Sequence, residues 1–415
     1  NQITMDQVLL DDISFYAAED ADVVIELTEI FMKDLKKQKL FNYFKSIEID
    51  LLPVLIDMQF NGIFIDKDYL ENRSNEIGKK IESLESEIID LAGEEFNLNS
   101  SQQLAVILFD KLKLPMIKKR STAEAVLSEL KDKHPLPELI LSYRKLYKLK
   151  NTYLDPLPSY IIADTQRVHS SFNQTMTATG RLSTSSPNFQ NIPIRTEDGK
   201  EIRKAIKAQS NEYQIFSADY SQVELRVMAH LSGDESLISA LNNGEDIHTF
   251  TAKNIFNVDN DDMVLPEMRR IAKIVNFGIM YGAGPFRLSQ ELDIPFGEAK
   301  QIKDAYFEKY QGIEQYIENS KLQIKETKSV ETLLGRKRAV WDSDSQNKIR
   351  RDAAERMAIN MPIQGTAAEM IKLAMIKIHR QINKENLKSK LIMQIHDELL
   401  LEVHQDEIDY ISKMV

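Results

Sequence analysis

Residues 390–404 read KLIMQIHDELLLEVH. Three polar residues, His396, Asp397 and Glu398, stand between two apolar runs, LIMQI and LLLEV. The pattern predicts a β-hairpin with the three polar residues at its bend. A carboxylate at that position projects from a rigid sheet, which suits a site that demands fixed geometry.

A second stretch points the same way. YQIFSADYS (213–221) reads as a short strand ending at Asp219, and QVELRVMAHL (222–231) reads as the helix after it. Asp219 and Asp397 each close an apolar strand. Two such carboxylates can hold a pair of Mg²⁺ ions about 3.5–4 Å apart, an arrangement that drives in-line displacement at phosphorus. Mg²⁺ tolerates sparse protein ligation, leaving room for water and phosphates. A strand-end Asp is more often an ordinary turn or cap residue, and spacing does not by itself bring Asp219 to Asp397.

Residues 269–282, RRIAKIVNFGIMYG, follow Pro266 and Glu267 and close on Gly282. As a helix they place Arg269, Lys273, Phe277 and Tyr281 on one stripe, because each step of four advances about 400°. Two cations in the first turns join a helix N-terminus that already favours anions. Two rings further along offer flat surfaces to a sugar or base. The stripe thus has the polarity of a nucleotide. An amphipathic helix with aromatics in the core and basic stems along the surface is the rival reading. Gly278 in mid-helix costs about 1 kcal/mol relative to Ala, which implies that something approaches closely.

The rest of the chain is mostly helical in pattern. Residues 13–38 read as short helix, 41–60 as helix-like, and Asn61-Gly62 as a turn. From 67 to 92, Leu70, Ile77, Ile81, Leu84, Ile88 and Leu91 recur at helical spacings up to Gly93, which suggests an exposed antiparallel helix hairpin. Residues 235–335 form a mainly helical block. Residues 165–200 are rich in Thr, Ser, Asn and Gln, and long irregular segments of this kind are often functional. There Arg181, Asn188, Gln190 and Asn191 suit contacts with nucleic-acid backbone and minor groove, where acceptors sit at similar positions in every base pair. A self-bonded loop would use the same residues.

With 415 residues the chain is long enough for two to four domains. It has no cysteine, which excludes disulfides and thiolate metal sites. No apolar run nears the roughly 18 residues of a membrane span, and the start at Asn1 carries no signal-peptide pattern. The chain therefore reads as a fragment or a processed form. The net charge of −11 argues against a nucleic-acid binder if taken alone. Binding follows local fields, however, and basic residues cluster at 143–150, 200–207 and 335–351. Each cluster could also be a solvated helix face.

Together these stretches closely resemble the family-A DNA polymerases, over nearly the whole chain. DYSQVELR (219–226) is similar to the first palm motif, RRIAKIVNFGIMYG to the fingers helix, and QIHDELLLEV (394–403) to the second carboxylate motif. TATGRLSTSSPNFQNIPIR (177–195) and AERMAINMPIQGTAAEMIK (354–372) resemble the two template–primer motifs. YAAEDAD (16–22) resembles the tail of the proofreading exonuclease domain.

The resemblance implies an α+β, right-hand polymerase with helical thumb, antiparallel-sheet palm and helical fingers. The implied division is 1–34 for an exonuclease remnant, 35–165 for the thumb, 166–231 and 345–415 for the palm, and 232–344 for the fingers. It implies a template-directed DNA polymerase in replication or repair, working on primer–template DNA and dNTPs with two Mg²⁺ ions, for which Mn²⁺ could substitute. A cytoplasmic monomer without membrane attachment is expected, in a bacterial nucleoid or phage-infected cell, with an organelle as the alternative.

Residue by residue, Asp219 and Asp397 match the metal-binding carboxylates, with the Tyr220 carbonyl as a further ligand and Glu398 as a supporting acid. Arg269 and Lys273 match triphosphate contacts, with Lys273 also a general acid toward pyrophosphate. His248 and Gln222 match further nucleotide neighbours. Glu224 matches the residue under the sugar that excludes a ribose 2′-hydroxyl, Phe277 the ring against the sugar, and Tyr281 the ring at the template position. Arg181, Arg356, Asn360, Gln364 and His396 match primer–template contacts, joining Asn188, Gln190 and Asn191.

The sequence also departs from the family. In GAGPFRLS (282–289) the family commonly has Ser at Gly284 and Gly at Arg287, while Phe286 matches an aromatic implicated in opening downstream duplex. MIKKRSTAEAVL (116–127) is shorter than the usual thumb-tip loop. Tyr16 and Asp20 match one exonuclease motif without its partner motifs, so no proofreading is expected, and Val415 falls short of the usual terminus. Two other readings remain open: a silent primer–template binder, and a nuclease using the same metals. The nuclease would have no need of a triphosphate clamp.

Overall fold

The computed structural model describes residues 4–192 and 197–415, without the side chains of Asn191 and of residues 197–199. Helices dominate and the sheets are small and antiparallel. The helices used below are α1 (Leu10–Lys37), α2 (Asp50–Asn61), α3 (Lys67–Ala92), α4 (Leu136–Leu149), α5 (Val223–Ser232), α6 (Ile247–Phe256), α7 (Pro266–Met280) and α8 (Lys348–Lys384). The main sheet joins β1 (Tyr213–Asp219), β2 (Lys390–Ile395) and β3 (Glu398–His404) in the order β1–β3–β2.

The expected hairpin forms, with a tighter bend than its three polar residues suggest. β2 ends at Ile395 and β3 begins at Glu398, so only His396 and Asp397 make the turn. His396 takes a φ of 52°, the left-handed backbone that two-residue hairpin turns require. Glu398 is therefore a strand residue.

β3 is central, and residues 399–404 are all buried. Its side chains alternate between two cores, as strand geometry demands. Leu399, Leu401 and Val403 join Met375 and Ile378 of α8 and Leu51 and Met58 of α2. Leu400 joins the core built on α3 and α4. Glu402 is buried as well, and is paired with the equally buried Arg167, whose Nη2 lies 2.7 Å from Glu402 Oε2 and also donates to the Gly62 carbonyl.

α3 starts where Asp66 caps it, accepting from the Tyr69 N–H at 2.9 Å, and stops at Gly93 as the pattern predicts. Its apolar stripe is not exposed. Leu70, Ile77 and Ile88 are fully buried with Ile140 and Tyr143 of α4, and only the charged face meets solvent. The short helix expected over 13–38 is instead one 28-residue helix, α1, none of whose residues is buried. Tyr16 and Asp20 lie on it, both exposed.

α7 forms over Pro266–Met280 and leaves Tyr281 as its C-cap residue, outside the helix. The close approach implied at Gly278 comes from the protein itself: a Cβ there would sit 2.9 Å from Leu288 Cδ2. α8 is equally tight at Gly365, where a Cβ would lie 2.5 Å from Thr332 Cγ2 and 3.1 Å from the Thr179 carbonyl.

The basic clusters are partly neither solvated faces nor open patches. Arg144 donates to the Thr122 carbonyl, Lys150 to Asp155, Arg203 to Glu398 and Arg336 to Glu48. Among the described residues no helix is long and apolar enough to cross a membrane.

Candidate active site

β1 and β3 pair antiparallel with Asp219 opposite Glu398. Asp397, one residue before, accepts from the Tyr220 N–H through its carbonyl at 3.2 Å. Sheet register thus brings the two strand-end carboxylates to one edge, which spacing alone left undecided. Partial burial, and then the charges of Asp397 and Glu398, push the Asp219 carboxyl above the usual carboxylate range. Asp397 Oδ1 is buried without a hydrogen-bond partner among the described residues, and Arg181 Nη2 stands 3.7 Å from it. With Arg181 within ion-pair range but making no hydrogen bond to it, and with the Asp219 and Glu398 carboxylates beside it, this oxygen is one that a further cation would stabilise.

Among the described residues no three His, Cys, Asp or Glu side chains converge as metal ligands. The protein donors at this edge are few, as a hard cation sharing its shell with water and phosphate allows. Glu398 is engaged elsewhere, 2.8 Å from Arg203 Nη1 and 2.6 Å from Ser217 Oγ.

Next to this edge, Glu224 in the first turn of α5 is only 5% exposed. Its Oε1 accepts from Arg181 Nη2 at 2.5 Å and its Oε2 from the Tyr281 hydroxyl at 2.8 Å. Burial pushes the Glu224 carboxyl upward, against the charge of Arg181 and the bond from Tyr281. Burial, and then the Glu224 charge, push the Tyr281 phenol upward too, so it stays a donor at neutral pH. Although Tyr281 has left the helix, its ring still stacks on Phe277, with centroids 6.2 Å apart and planes at 25°. Gln222 precedes α5 with a φ of 55° and makes no side-chain cap bond.

The charged half of the α7 stripe is not equally free. Arg269 forms a two-point pair with Asp246, Nη2–Oδ2 at 2.6 Å and Nε–Oδ1 at 3.2 Å. Asp246 also caps α6 by accepting from the Thr249 N–H at 2.7 Å. Burial alone would raise the Asp246 carboxyl, but bonds from Arg269 and Thr249 outweigh it and hold the pKa at about 2. Lys273 is exposed, with no ion pair among the described residues. His248, 4% exposed, lies with its ring 5.7 Å from that of Phe277.

Arg356, Asn360 and Gln364 recur every four residues along α8 and so share a face. Arg356 packs on Gly282, and Gln364 neighbours the Tyr281 hydroxyl. Asn360 Oδ1 is buried without a partner among the described residues. Gln190 Nε2 donates to Gln394 Oε1 at 3.3 Å, and Gln394 in turn donates to the His396 carbonyl. Asn188 behaves as a loop-closing residue, its Oδ1 accepting from the Gln190 N–H at 3.0 Å. The side chain of Asn191 lies outside the described residues.

The structure adds residues that sequence inspection passed over: Asp246 against Arg269, Arg203 against Glu398, and Asn276 against His248. Asp246 carries a visible signal as the cap residue of DIHT, but nothing local announces its pairing with Arg269.

The model of DNA polymerase family A matches residues 67–415. DNA polymerase I of Pseudomonas aeruginosa is 43% identical over 419 residues, covering 99% of this chain and 46% of that protein. The thermostable DNA polymerase I of Thermus aquaticus is 46% identical over 384 residues, covering 91% of this chain and 46% of that protein. The chain thus spans about half the length of these curated relatives. Among solved structures, the POL domain of Pol1 from M. smegmatis, in complex with DNA primer-template and dNTP, superposes with a TM-score of 0.90 at 38% identity. The match covers 94% of this chain and 70% of that one, and fits the right-hand architecture of palm, fingers and thumb.

Proposed function

The chain belongs to DNA polymerase family A, and from that premise we propose that it is a template-directed DNA polymerase. It adds dNTPs to a primer 3′-hydroxyl and releases pyrophosphate, in replication or repair. The observation that carries this reading is the meeting of Asp219 and Asp397 at one sheet edge, beside the Arg181–Glu224–Tyr281 cluster that continues the α7 stripe. A similar structure holds DNA primer-template and dNTP, the same partners proposed for this chain.

The family is metal-dependent. Asp219, Asp397 and the Tyr220 carbonyl are the groups that would hold two Mg²⁺ ions, or Mn²⁺ on the same oxygen donors. When bound, such ions supply Lewis-acid activation of the 3′-hydroxyl and neutralise charge at the pyrophosphate. Everything else falls to the chain's own residues. Arg269 and Lys273 grip the triphosphate, and Lys273 also gives a proton to the leaving pyrophosphate. Phe277 lies along the sugar, and Tyr281 occupies the template-base position until a pair forms. Glu224 sits under the sugar, where a 2′-hydroxyl would clash, and Gln222 and His248 border the nucleotide. Arg181, Asn188, Gln190, Asn191, Arg356, Asn360, Gln364 and His396 hold primer and template, with Glu398 supporting the carboxylate edge. Positioning and charge stabilisation carry most of phosphoryl-transfer catalysis.

The accompanying division is 1–34 exonuclease-like remnant, 35–165 thumb, 166–231 and 345–415 palm, and 232–344 fingers, acting as a cytoplasmic monomer. Primer extension with dNTPs and Mg²⁺ is the test. Wild type should extend, and Asp397→Ala should lose roughly a thousandfold in rate, the scale of losing metal-borne charge stabilisation. Equal extension by both would end the polymerase reading. A silent binder would retain the primer unextended, and a nuclease would shorten it.

A further inference from the structure

Within and beneath α7 lies a buried polar network of which the reaction as proposed uses only His248. Thr251, Asn276, His248 and Tyr310 are 0%, 2%, 4% and 1% exposed. Buried polar groups need partners, and these four supply one another. The Thr251 hydroxyl lies 2.8 Å from the Tyr310 hydroxyl and donates to Asn276 Oδ1 at 3.2 Å. The Asn276 amide nitrogen lies 3.1 Å from both Thr251 Oγ1 and His248 Nδ1.

A neutral imidazole has one N–H and one bare nitrogen, and its neighbours decide which is which. Burial keeps the His248 ring neutral, with Arg269 and Lys273 pushing the same way and Asp246 opposing them. An amide NH₂ only donates. Facing Nδ1, it requires that nitrogen to be the bare acceptor, which leaves the proton on Nε2. Nε2 makes no hydrogen bond to any other described residue, so it is the nitrogen left for a ligand.

We infer that Asn276 is a positioning residue that fixes His248 as its Nε2–H tautomer, so that the ring offers a donor to nucleotide phosphates. The opposite tautomer would turn a lone pair toward a polyanion. The inference rests on the proposed reading that His248 borders the nucleotide, and it assigns the ring to the phosphates. It explains why an Asn, and not an apolar residue, stands directly before Phe277 in the buried face of α7.

The tautomer can be read without nucleotide or DNA, by nitrogen-15 NMR of histidine-labelled protein, with His248 assigned through His248→Gln. The expected result is a pyridine-like Nδ1 and a pyrrole-like Nε2, and the reverse overturns the inference. In Asn276→Asp a carboxylate would accept from Nδ1–H and switch the tautomer. KM for dNTP should then rise about tenfold, the scale of one hydrogen bond to a charged group, with kcat changed less than about twofold. A switched tautomer with unchanged KM also overturns it. Should a buried carboxylate prevent folding, Asn276→Ala replaces it. That variant should show both tautomers and a raised KM, and a single Nε2–H form with unchanged KM counts against the inference. Failure of the polymerase reading itself is decided separately, by primer extension of the wild type.

Discussion

The Tyr281 hydroxyl donates to Glu224 Oε2 at 2.8 Å while Arg181 holds the other oxygen of the same carboxylate at 2.5 Å. A single buried carboxylate therefore ties three segments together: the polar loop of Arg181, the first turn of α5, and the residue that ends α7. Both oxygens are already engaged by protein donors, which supports the proposed reading that Glu224 excludes a ribose 2′-hydroxyl. Glu224→Ala is expected to raise ribonucleotide incorporation relative to dNTP by roughly tenfold or more. Single-nucleotide insertion with matched dNTP and rNTP measures it, and unchanged discrimination would sink the assignment. Stability should also fall by about 1–3 kcal/mol, because the largely buried Tyr281 hydroxyl loses its acceptor.

On the proposed reading that Arg269 grips the triphosphate, Asp246, which pairs with Arg269 here, would compete for it. Asp246→Asn keeps an N-cap acceptor for α6 and removes the charge that pairs Arg269. The pair is substantially exposed, so its worth is at most about 1 kcal/mol. The variant should bind dNTP about two- to fivefold more tightly, read as a lower KM with kcat nearly unchanged. A weaker KM would mean that Asp246 orients Arg269 productively.

Burial pushes the His248 pKa down to about 4, against an ordinary value of 6.5. Between these two values the unfolded chain holds a proton that the folded chain refuses. Acidification through this window therefore favours unfolding, and stability rises again as pH returns to neutrality. The full effect is on the order of 3 kcal/mol. Urea midpoints at pH 7 and pH 4.5 should differ less in His248→Gln than in wild type, and an equal difference would contradict the assignment.

Arg167 and Glu402 are an ion pair with side chains only 8% and 4% exposed. Glu402→Leu should cost about 3–5 kcal/mol, since it leaves a buried guanidinium without its counterion. Arg167→Met combined with Glu402→Leu should recover most of that loss. Denaturant unfolding of the two single variants and the double measures the coupling, and additive losses would count against it.

Much of the scaffold was legible locally. The strand ending at Asp219, the hairpin on either side of His396, and the helix from Lys67 to Gly93 all follow from side-chain periodicity and cap residues, and both depend on neighbours in sequence. α7 was legible for the same reason, though its last ring was not: Tyr281 looks helical by spacing, yet it caps the helix. The helix expected over 13–38 was legible in place, though it is not short: α1 runs 28 residues from Leu10 to Lys37.

The sequence by itself determined the period of each element, the strand-end carboxylates and the order of cations and rings along α7. Tertiary structure alone decided that Asp219 and Asp397 meet, that Glu398 turns to Arg203, that Asp246 holds Arg269, and that Asn276 faces His248. These are contacts between distant segments, set by the β1–β3 hydrogen-bond register and by which helix faces bury together. Register and burial minimise free energy over the whole chain, so no local window of residues contains them.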